Sequence, residues 1–452
     1  MFCDKCGSPL NDGDKFCTAC GNSVKAEGQE QQNYWGNSNP VWNGVSVSAK
    51  PKSRKPLHFG IIAVVVVVSL LTGSYFTFGK NLFASPARKT FISMAKVAGA
   101  DAVDSETVIK LKLNGASGEN LLLKSIADDL ALKINSKSDK AKSQGEFKFS
   151  LVMKKQTILD VDIYANQDIV VINSQGLLDK PLYLNTKDVN KLTGQETSEN
   201  SKVDLKKYES FFKDLSKSSD YKAVVKKYST FFEDVLGDFT QKTGATDVNI
   251  VENGKERTIK CDETTVTIDE NFVKKVVKGL LERVSTDNKL KALVKDKVNE
   301  FYKLAEKNGD LEKFQLDSDT FKESLKNFDT EWDKAMEELK SNLDNMDKEL
   351  SALKLNSTAK FKIDSNNRLR QLTYDIDGGS TIGSAFGMPG VSGSVVIETT
   401  FNAFNGDVKL NKPSTDGAQN MAEMDQYELM DLMGRIQDKL QNILGSSLLG
   451  GM

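Results

Sequence analysis

Short runs in which apolar and polar residues alternate recur between residues 107 and 184. The first is Thr107–Leu113, in which four residues share one face and two lysines lie on the other. The same period of two returns in Phe147–Met153 and Leu159–Ile163. Because the connections are short, such as residues 165–168, the pattern predicts an antiparallel meander with one apolar and one solvated face.

A helical period replaces this alternation in the middle of the chain. Lys206–Leu215 and Lys226–Val235 both place Tyr, Phe, Phe and an aliphatic residue at i, i+3, i+4 and i+7, on one face of a helix. We interpret the two segments as a helical hairpin that packs on the sheet, with an aromatic-lined ligand groove as the alternative. Long charged helices are expected through about residues 290–308 and 318–353, with solvated or coiled-coil-like faces.

Strand patterns return in the last third of the chain. Residues 359–363, 369–376 and 394–404 alternate again, and the Asn253-Gly254 pair predicts a tight hairpin turn before them. The Gly-rich segment Gly378–Gly393 is not a phosphate-binding loop, because no Gly-Lys-Ser/Thr follows it. It is expected to be a mobile lip or turn, with a ligand lid as the alternative.

The longest apolar run is Leu57–Phe78, which has 22 residues and contains no Asp, Glu, Lys or Arg. As a helix it would extend about 33 Å, enough to cross the hydrocarbon core of a bilayer. A basic cluster at residues 50–55 precedes it, and the positive-inside rule then favours a cytoplasmic N-terminus. The sequence therefore predicts a transmembrane helix here.

Composition narrows the chemistry. The chain has 452 residues and a net charge of −2, so it lacks the basic excess of a nucleic-acid-binding protein. Its one histidine is His58, within the apolar run, which excludes His-dependent catalysis and His-ligated metal sites in the residues that follow. Cys261 is the one cysteine after residue 20, and we interpret it as a half-buried small residue rather than a nucleophile.

The first 21 residues contain two Cys-x-x-Cys-Gly motifs separated by a short spacer. Four thiolates can enclose one ion in a closed tetrahedral site, which suits structural Zn²⁺ and leaves no open position for catalysis. Disulfides or a redox pair are the alternatives without metal, and iron is the alternative metal. The expected metal ligands are Cys3, Cys6, Cys17 and Cys20.

The N-terminal segment resembles the short rubredoxin-like zinc ribbons of bacterial single-pass membrane proteins. The longer C-terminal part, with phrases such as DVDIYANQDIVVI and FNAFNGDVKLNKP, is similar to envelope domains of the lipoprotein-carrier type. That resemblance implies an α+β fold in which a curved antiparallel sheet wraps around inserted helices and can hold an acyl chain.

Together these patterns predict the organisation of the chain. A zinc ribbon is expected at residues 1–23, a flexible linker at 24–56, the transmembrane helix at 57–78, an extracytoplasmic α+β domain at 86–413 and an amphipathic helix at 418–446. This Met-rich last helix either docks on the domain or offers an adaptable surface for a partner or lipid. The predicted location is the cell membrane, with the N-terminus in the cytoplasm.

The expected function is that of a non-enzymatic envelope protein. Its outer domain would bind a lipid, a cell-wall component or a protein, its zinc ribbon would dock a protein partner, and residues 57–78 would contact the bilayer. The alternatives are an envelope enzyme that uses Asp and Glu carboxylates, and a membrane scaffold or stress sensor without a small-molecule ligand.

Overall fold

The computed structural model describes most of the chain after residue 84. The described residues are 85–115, 120–189, 191, 204–314, 316, 318–353, 356–385, 390–410 and 412–449. The predictions for the zinc ribbon, the linker and the apolar run Leu57–Phe78 lie outside these residues.

The helices and strands are numbered in chain order within the described residues. The α-helices are α1 (Pro86–Ala98), α2 (Asn120–Asp129), α3 (Glu209–Lys217), α4 (Ser219–Phe239), α5 (Glu270–Thr286), α6 (Asn288–Asn308), α7 (Ser318–Lys326), α8 (Phe328–Leu353), α9 (Gly379–Ala385) and α10 (Gln426–Leu449). The strands are β1 (Ala102–Asn114), β2 (Leu130–Asp139), β3 (Gln144–Met153), β4 (Gln156–Ala165), β5 (Ile169–Asn173), β6 (Leu182–Asn185), β7 (Thr240–Glu252), β8 (Lys255–Asp269), β9 (Asn356–Asp364), β10 (Leu369–Gly378), β11 (Ser392–Phe404) and β12 (Gln419–Asn420).

The described strands form a 12-stranded sheet with the order β12-β6-β5-β4-β3-β2-β1-β11-β10-β9-β8-β7. Neighbouring strands are antiparallel except for β12, which runs parallel to β6 and pairs Gln419 with Leu182. The predicted fold class, with a purely antiparallel curved sheet, is therefore wrong: the sheet is large and mixed. The residue pattern identifies strands but not their partners, and β12 reaches its partner through a long connection.

The membrane part of the fold-class prediction is also corrected. Among the described residues, no helix is both long enough and apolar enough to cross a bilayer. The 26-residue α8 has the length, but acidic and basic residues occur along it. This finding contradicts the predicted single-pass location with an extracytoplasmic domain.

One hydrophobic core lies between α1 and the strands β8–β11. Helix α1 begins at Pro86, because proline fits the first helical turn and the Ser85 hydroxyl accepts a hydrogen bond from the Arg88 N–H. Its buried Ala87 packs with Leu236 of α4 and with residues of the four strands. Those strand residues are Val266, Ala359, Phe361, Ile363, Leu369 and Phe401.

A second core is formed by the helices α4, α5, α6 and α8. The start of α6 is fixed by Asp287, whose carboxylate accepts backbone N–H groups of Lys289 and Leu290 at 3.1 Å. Lys227 of α4 donates to the same carboxylate at 2.7 Å. The buried residues of this core are Tyr221, Val224, Val225, Tyr228, Leu281, Val284, Leu290, Leu293, Val294, Phe328, Trp332 and Met336.

The aromatic repeat contributes mainly to helix packing, although Phe231 and Val235 of its second copy also line a pocket between α4 and α5. Tyr208 of the first copy is fully buried and contacts the rings of Phe301 and Phe314. Tyr228 of the second copy is buried in the helical core. The two segments are packed helices, but at these positions they pack against other helices and not on the sheet as predicted, and Phe212 of the first copy is 54% exposed.

Candidate functional site

Two neighbouring strands each contain a β-bulge, and each bulge carries a buried polar residue. In β10 the pairing with β9 shifts between Leu369 and Gln371, so that Arg370 has no partner in the register. In β11 the pairing with β1 skips Asn402 in the same way. Arg370 is 2% exposed and Asn402 is 9% exposed. A bulge bends its strand and redirects a side chain, and bulges often lie next to functional sites.

The Arg370 side chain forms the buried base of this region. Its Nε donates to Asp364 Oδ2 at 2.9 Å, and its Nη1 lies 3.3 Å from the Asn402 carbonyl oxygen, to which it donates. Burial alone would raise the pKa of Asp364, but the backbone N–H of Arg368 and the side chain of Arg370 hold that pKa below its usual value. Asp364 therefore keeps its negative charge beside the Arg370 guanidinium at neutral pH.

The Asn402 side chain links two strands above this base. Its Oδ1 accepts a hydrogen bond from the Val251 N–H at 3.0 Å, and its Nδ2 donates to Asp104 Oδ1 at 3.3 Å. Val251 lies in β7 at the tip of the β7–β8 hairpin, and three strands, β10, β9 and β8, separate β7 from β11 in the sheet order. The sheet therefore curls until this tip reaches β11.

A groove of about 780 Å³ lies on the sheet face beside this link. Val103 of β1 packs against the core between α1 and the strands β8–β11. Because side chains alternate along a strand, Asp104 and Glu106 lie on the opposite face of the sheet. Register places two rows of groove residues across β1–β5. The first row is Asp104, Lys137, Glu146, Tyr164 and Val171, and the second is Glu106, Asn135, Lys148, Asp162 and Asn173.

The ends of the groove come from outside these five strands. The tip of the β7–β8 hairpin contributes Val251, Asn253 and Gly254, and the segment after β11 contributes Lys409 and Pro413. The hairpin turn is the one that its sequence predicts, with φ of 52° at Asn253 and 76° at Gly254. The groove thus has a sheet floor and a wall formed by a turn.

Charges of both signs alternate across the groove floor. Lys137 lies 3.7 Å from Glu146, and Lys148 lies 4.0 Å from Asp162. A hydrogen bond to Asp160 raises the pKa of Lys148 and keeps it protonated. Burial raises the pKa of Asp104 above its usual value. The groove can therefore offer donors and acceptors to a polar ligand along its whole length.

Comparison with known proteins assigns the N-terminal segment. Residues 2–24 match the zinc-ribbon domain. The chain carries a zinc ribbon. No curated protein matches the chain as a whole. The comparisons give no support to a resemblance with lipoprotein carriers or with membrane proteins.

The zinc ribbon contains the four predicted metal ligands, Cys3, Cys6, Cys17 and Cys20, which lie outside the described residues. Their donor chemistry fits zinc, because two Cys-x-x-Cys pairs supply four thiolates. In the part of the chain that the structure describes, no group of three or more His, Cys, Asp or Glu side chains could hold a metal ion.

Cys261 has the environment of an inert residue. It is 4% exposed in β8, and its thiol donates to the Ile259 carbonyl oxygen at 3.6 Å. Burial and the nearby charge of Asp364 raise the pKa of the thiol to about 11. The thiol is therefore protonated at neutral pH, in agreement with the prediction that it is not a nucleophile.

The C-terminal helix α10 docks through one face and exposes another. Leu432 is buried, and Arg435 and Lys439 reach Asp179 at 2.9 and 2.7 Å. On the other side of the helix, three large apolar residues are exposed. These are Tyr427, Met430 and Met433. The helix begins at Gln426 rather than at residue 418, because Gln419–Asn420 form β12 and Met421–Glu423 form a 3-10 helix. Its docked face agrees with the first interpretation, and its role as a surface for a partner or lipid stays a prediction.

Sequence reasoning did not identify the groove residues. Their only local signal is the spacing of polar residues along strands, as in Asp104 and Glu106 at i and i+2. Such spacing is typical of any solvated strand face. The register of five strands and the two bulges are needed to bring the groove residues together.

Proposed function

We propose that this protein is a non-enzymatic binding protein. Its groove takes an extended polypeptide segment that carries charges of both signs, and its zinc ribbon docks a second protein. The observation that supports the groove assignment is the pair of cross-strand rows, in which acidic, basic and amide side chains alternate beside the hairpin wall.

The dimensions of the groove suit a short peptide. Five strands separated by about 4.8 Å span roughly 19 Å, the length of about six extended residues. A volume of about 780 Å³ is also within the usual range for ligand sites. A segment of this length can place its side chains over both rows.

The lining of the groove favours a peptide over the other ligands considered. An acyl chain would desolvate four carboxylates and three ammonium groups without pairing them, which is costly. These groups belong to Asp104, Glu106, Glu146, Asp162, Lys137, Lys148 and Lys409. A neutral glycan would gain from stacking on an aromatic face. Of the two aromatic residues that line the groove, Tyr164 is only 5% exposed. The other, Phe147, lies between Glu146 and Lys148, so strand alternation assigns its ring to the opposite face of the sheet.

Selection of peptides tests this proposal. We expect a random hexapeptide phage library panned on the full chain to enrich sequences that mix Lys or Arg with Asp or Glu. Substitution of Lys148 by Ala should weaken binding of a selected peptide about tenfold, because it removes one charge-assisted contact. Lys260→Ala is the matched control, since Lys260 is exposed on β8 away from the groove.

Three results would contradict the peptide assignment. One is the selection of uniformly apolar peptides, and another is equal affinity for Lys148→Ala and Lys260→Ala. The third is saturable binding of palmitate or tetra-N-acetylchitotetraose, used as lipid and glycan probes, in competition with the peptide. Affinity should also fall as salt rises from 50 to 300 mM, since surface charges are screened within a Debye length.

The alternative function, an enzyme that uses carboxylates, is based on Asp104, which lies beside Glu106 and Glu146 and has a raised pKa. Groups of this kind occur at catalytic sites as well as in binding grooves. Mass spectrometry of the selected peptide after incubation distinguishes the two. An intact peptide supports binding, whereas cleavage that is lost in Asp104→Asn would establish the enzyme.

The zinc ribbon allows a prediction of its own. We expect the purified chain to contain a single zinc ion, because four thiolates fill one tetrahedral site. Cys17→Ser should lose most of the metal, measured by inductively coupled plasma mass spectrometry. Cys261→Ser, which changes a cysteine outside the ribbon, should retain it.

The proposed role of the zinc is structural. A segment this small cannot bury enough apolar surface to fold alone, so metal binding supplies its folding free energy. Chelation should therefore abolish capture of any protein that the ribbon docks, while peptide binding in the groove is unchanged. Iron in place of zinc, seen by its visible absorption, would contradict the metal assignment.

A further inference from the structure

We infer that Asn402 is a positioning residue of the groove, which holds the tip of the β7–β8 hairpin in place as the groove wall. One buried amide accepts the Val251 N–H on one side and donates to Asp104 on the other. It therefore connects the hairpin wall to the floor strand β1. The importance of that wall for binding rests on the proposed function, whereas the link itself does not.

The bulge in β11 is what allows this link. The neighbours of Asn402 in β11 are Phe401 and Ala403, which are both buried in apolar clusters. Because the register skips Asn402, its side chain leaves the alternation and spans two strands that do not pair with each other. A regular strand would point this amide to one face only.

Arg370 supports the bulge from the buried side. Its guanidinium lies 3.3 Å from the carbonyl oxygen of Asn402 and 3.5 Å from that of Phe401. The backbone around Asn402 is therefore held by one residue while its side chain holds the hairpin. Arg370 therefore holds the backbone of Asn402 independently of the hairpin.

The hairpin tip is the part of the groove that most needs such support. Among the described strands, β7 is the edge of the sheet, and its outer side has no paired strand. Val251 at its tip is 47% exposed, so apolar packing holds it only weakly. A hydrogen bond to a buried amide can supply the missing restraint.

Hydrogen exchange of the Val251 amide tests the link. In the unmodified chain we expect this amide to exchange at least about tenfold more slowly than the amide of exposed Asn253, because its acceptor is buried. In Asn402→Ala its exchange should accelerate by about tenfold or more. The double variant Asn402→Asp, Asp104→Asn keeps an acceptor for the Val251 N–H and again pairs an amide with a carboxylate across the link, so it should restore most of the protection.

The matched control is Thr399→Ala. Thr399 also lies on β11 and shares a hydrogen bond of 2.9 Å with Thr107 of β1, but it does not contact the hairpin. Its loss removes one link between the same two strands, and Val251 should exchange as in the unmodified chain. Equal acceleration in both variants would mean general loosening of β11 and would overturn the proposal.

Further outcomes separate this inference from the proposed function. If Val251 exchanges as fast as Asn253 in the unmodified chain, the link does not exist, and no variant is needed to show it. If no hexapeptide is selected at all, the proposed function fails while the exchange result still decides the link. If Asn402→Ala speeds exchange but leaves the affinity of a selected peptide unchanged, Asn402 does not position the groove.

Discussion

Arg370→Ala should reduce the free energy of unfolding by about 3–5 kcal/mol, the usual cost of removing one partner from a buried ion pair. Asp364 would keep its charge in the protein interior, because its side chain is only 4% exposed. The carbonyl oxygens of Phe401 and Asn402 would also lose their donor. Urea unfolding followed by far-UV circular dichroism measures the change.

Arg368→Ala is the control for this substitution. Arg368 Nε also lies 2.9 Å from Asp364 Oδ2, but its side chain is 40% exposed. Because water screens such a pair and replaces its hydrogen bond, the expected loss is below about 1 kcal/mol. The backbone N–H of Arg368 still donates to Asp364 in this variant. Similar losses for the two variants would show that the buried pair is not the main support of the bulge.

Replacing both partners at once shows how much of the stability loss in Arg370→Ala comes from leaving the Asp364 charge buried without its partner. Asp364→Asn combined with Arg370→Met removes both charges and keeps an oxygen for the backbone N–H groups of Asn366 and Arg368, so we expect it to recover much of the stability lost in Arg370→Ala. The carbonyl oxygens of Phe401 and Asn402 in the β11 bulge would still lack the Arg370 donor. The Val251 amide should therefore still exchange faster than in the unmodified chain. The double variant would then regain stability without restoring the position of the hairpin, as the proposed roles of Arg370 and Asn402 require.

Features that depend on neighbouring residues were predictable. Pro86 begins a helix, the Asn253-Gly254 turn joins two strands, and Asp269 begins α5 by accepting the Phe272 N–H at 2.8 Å. Each feature depends on the backbone preferences of a few neighbouring residues, which can be read from the local sequence. The antiparallel meander from β1 to β6 was predicted for the same reason.

Features that depend on distant residues were not predictable. Within LRQLTYDI, Arg370 has the position of a solvated residue, yet it is buried because Asp364 and two carbonyl oxygens of β11 surround it. The Gly-rich segment contains α9, and α2 was not predicted at all. In each case the deciding contact comes from another part of the chain.

The groove shows the same limit for the candidate site. The cysteine motifs indicate a zinc ribbon because ligands, spacing and glycines lie within 21 residues. The groove instead needs five strands in register and a hairpin that arrives from the far end of the sheet. The spacing of residues along one strand does not specify which strands pair or where the hairpin lies. The sequence alone therefore predicts only a solvated strand face.

The helical core allows the second large prediction. The charged segment 318–353 was expected to be one solvated or antenna-like helix, but it divides at Asn327 into α7 and α8. Phe328, Trp332 and Met336 recur every four residues along α8 and are buried against α4, α5 and α6. The abundant charges lie on the other face, so composition hid the apolar stripe.

Phe328→Ala should therefore reduce the free energy of unfolding by about 3–5 kcal/mol, as expected when a buried aromatic ring is removed and leaves a cavity. Phe328 is 1% exposed, and its ring centre lies 5.7 Å from that of Trp332. Leu339→Ala on the same helix is the control, because Leu339 is 50% exposed. Its effect should stay within about 0.5 kcal/mol, since alanine also favours the helix.

Amide exchange shows how far the loss at Phe328 extends. Helix α4 contributes Tyr221 to the helical core and Leu236 to the core beneath the sheet. We therefore expect faster exchange in α6 and α8 and also at the C-terminal end of α4. Acceleration confined to α8 would indicate that the helix unfolds locally, and equal stability of Phe328→Ala and Leu339→Ala would show that α8 is not docked in the core. Faster exchange at both ends of α4 would show that the helical core and the core between α1 and β8–β11 open as one cooperative unit.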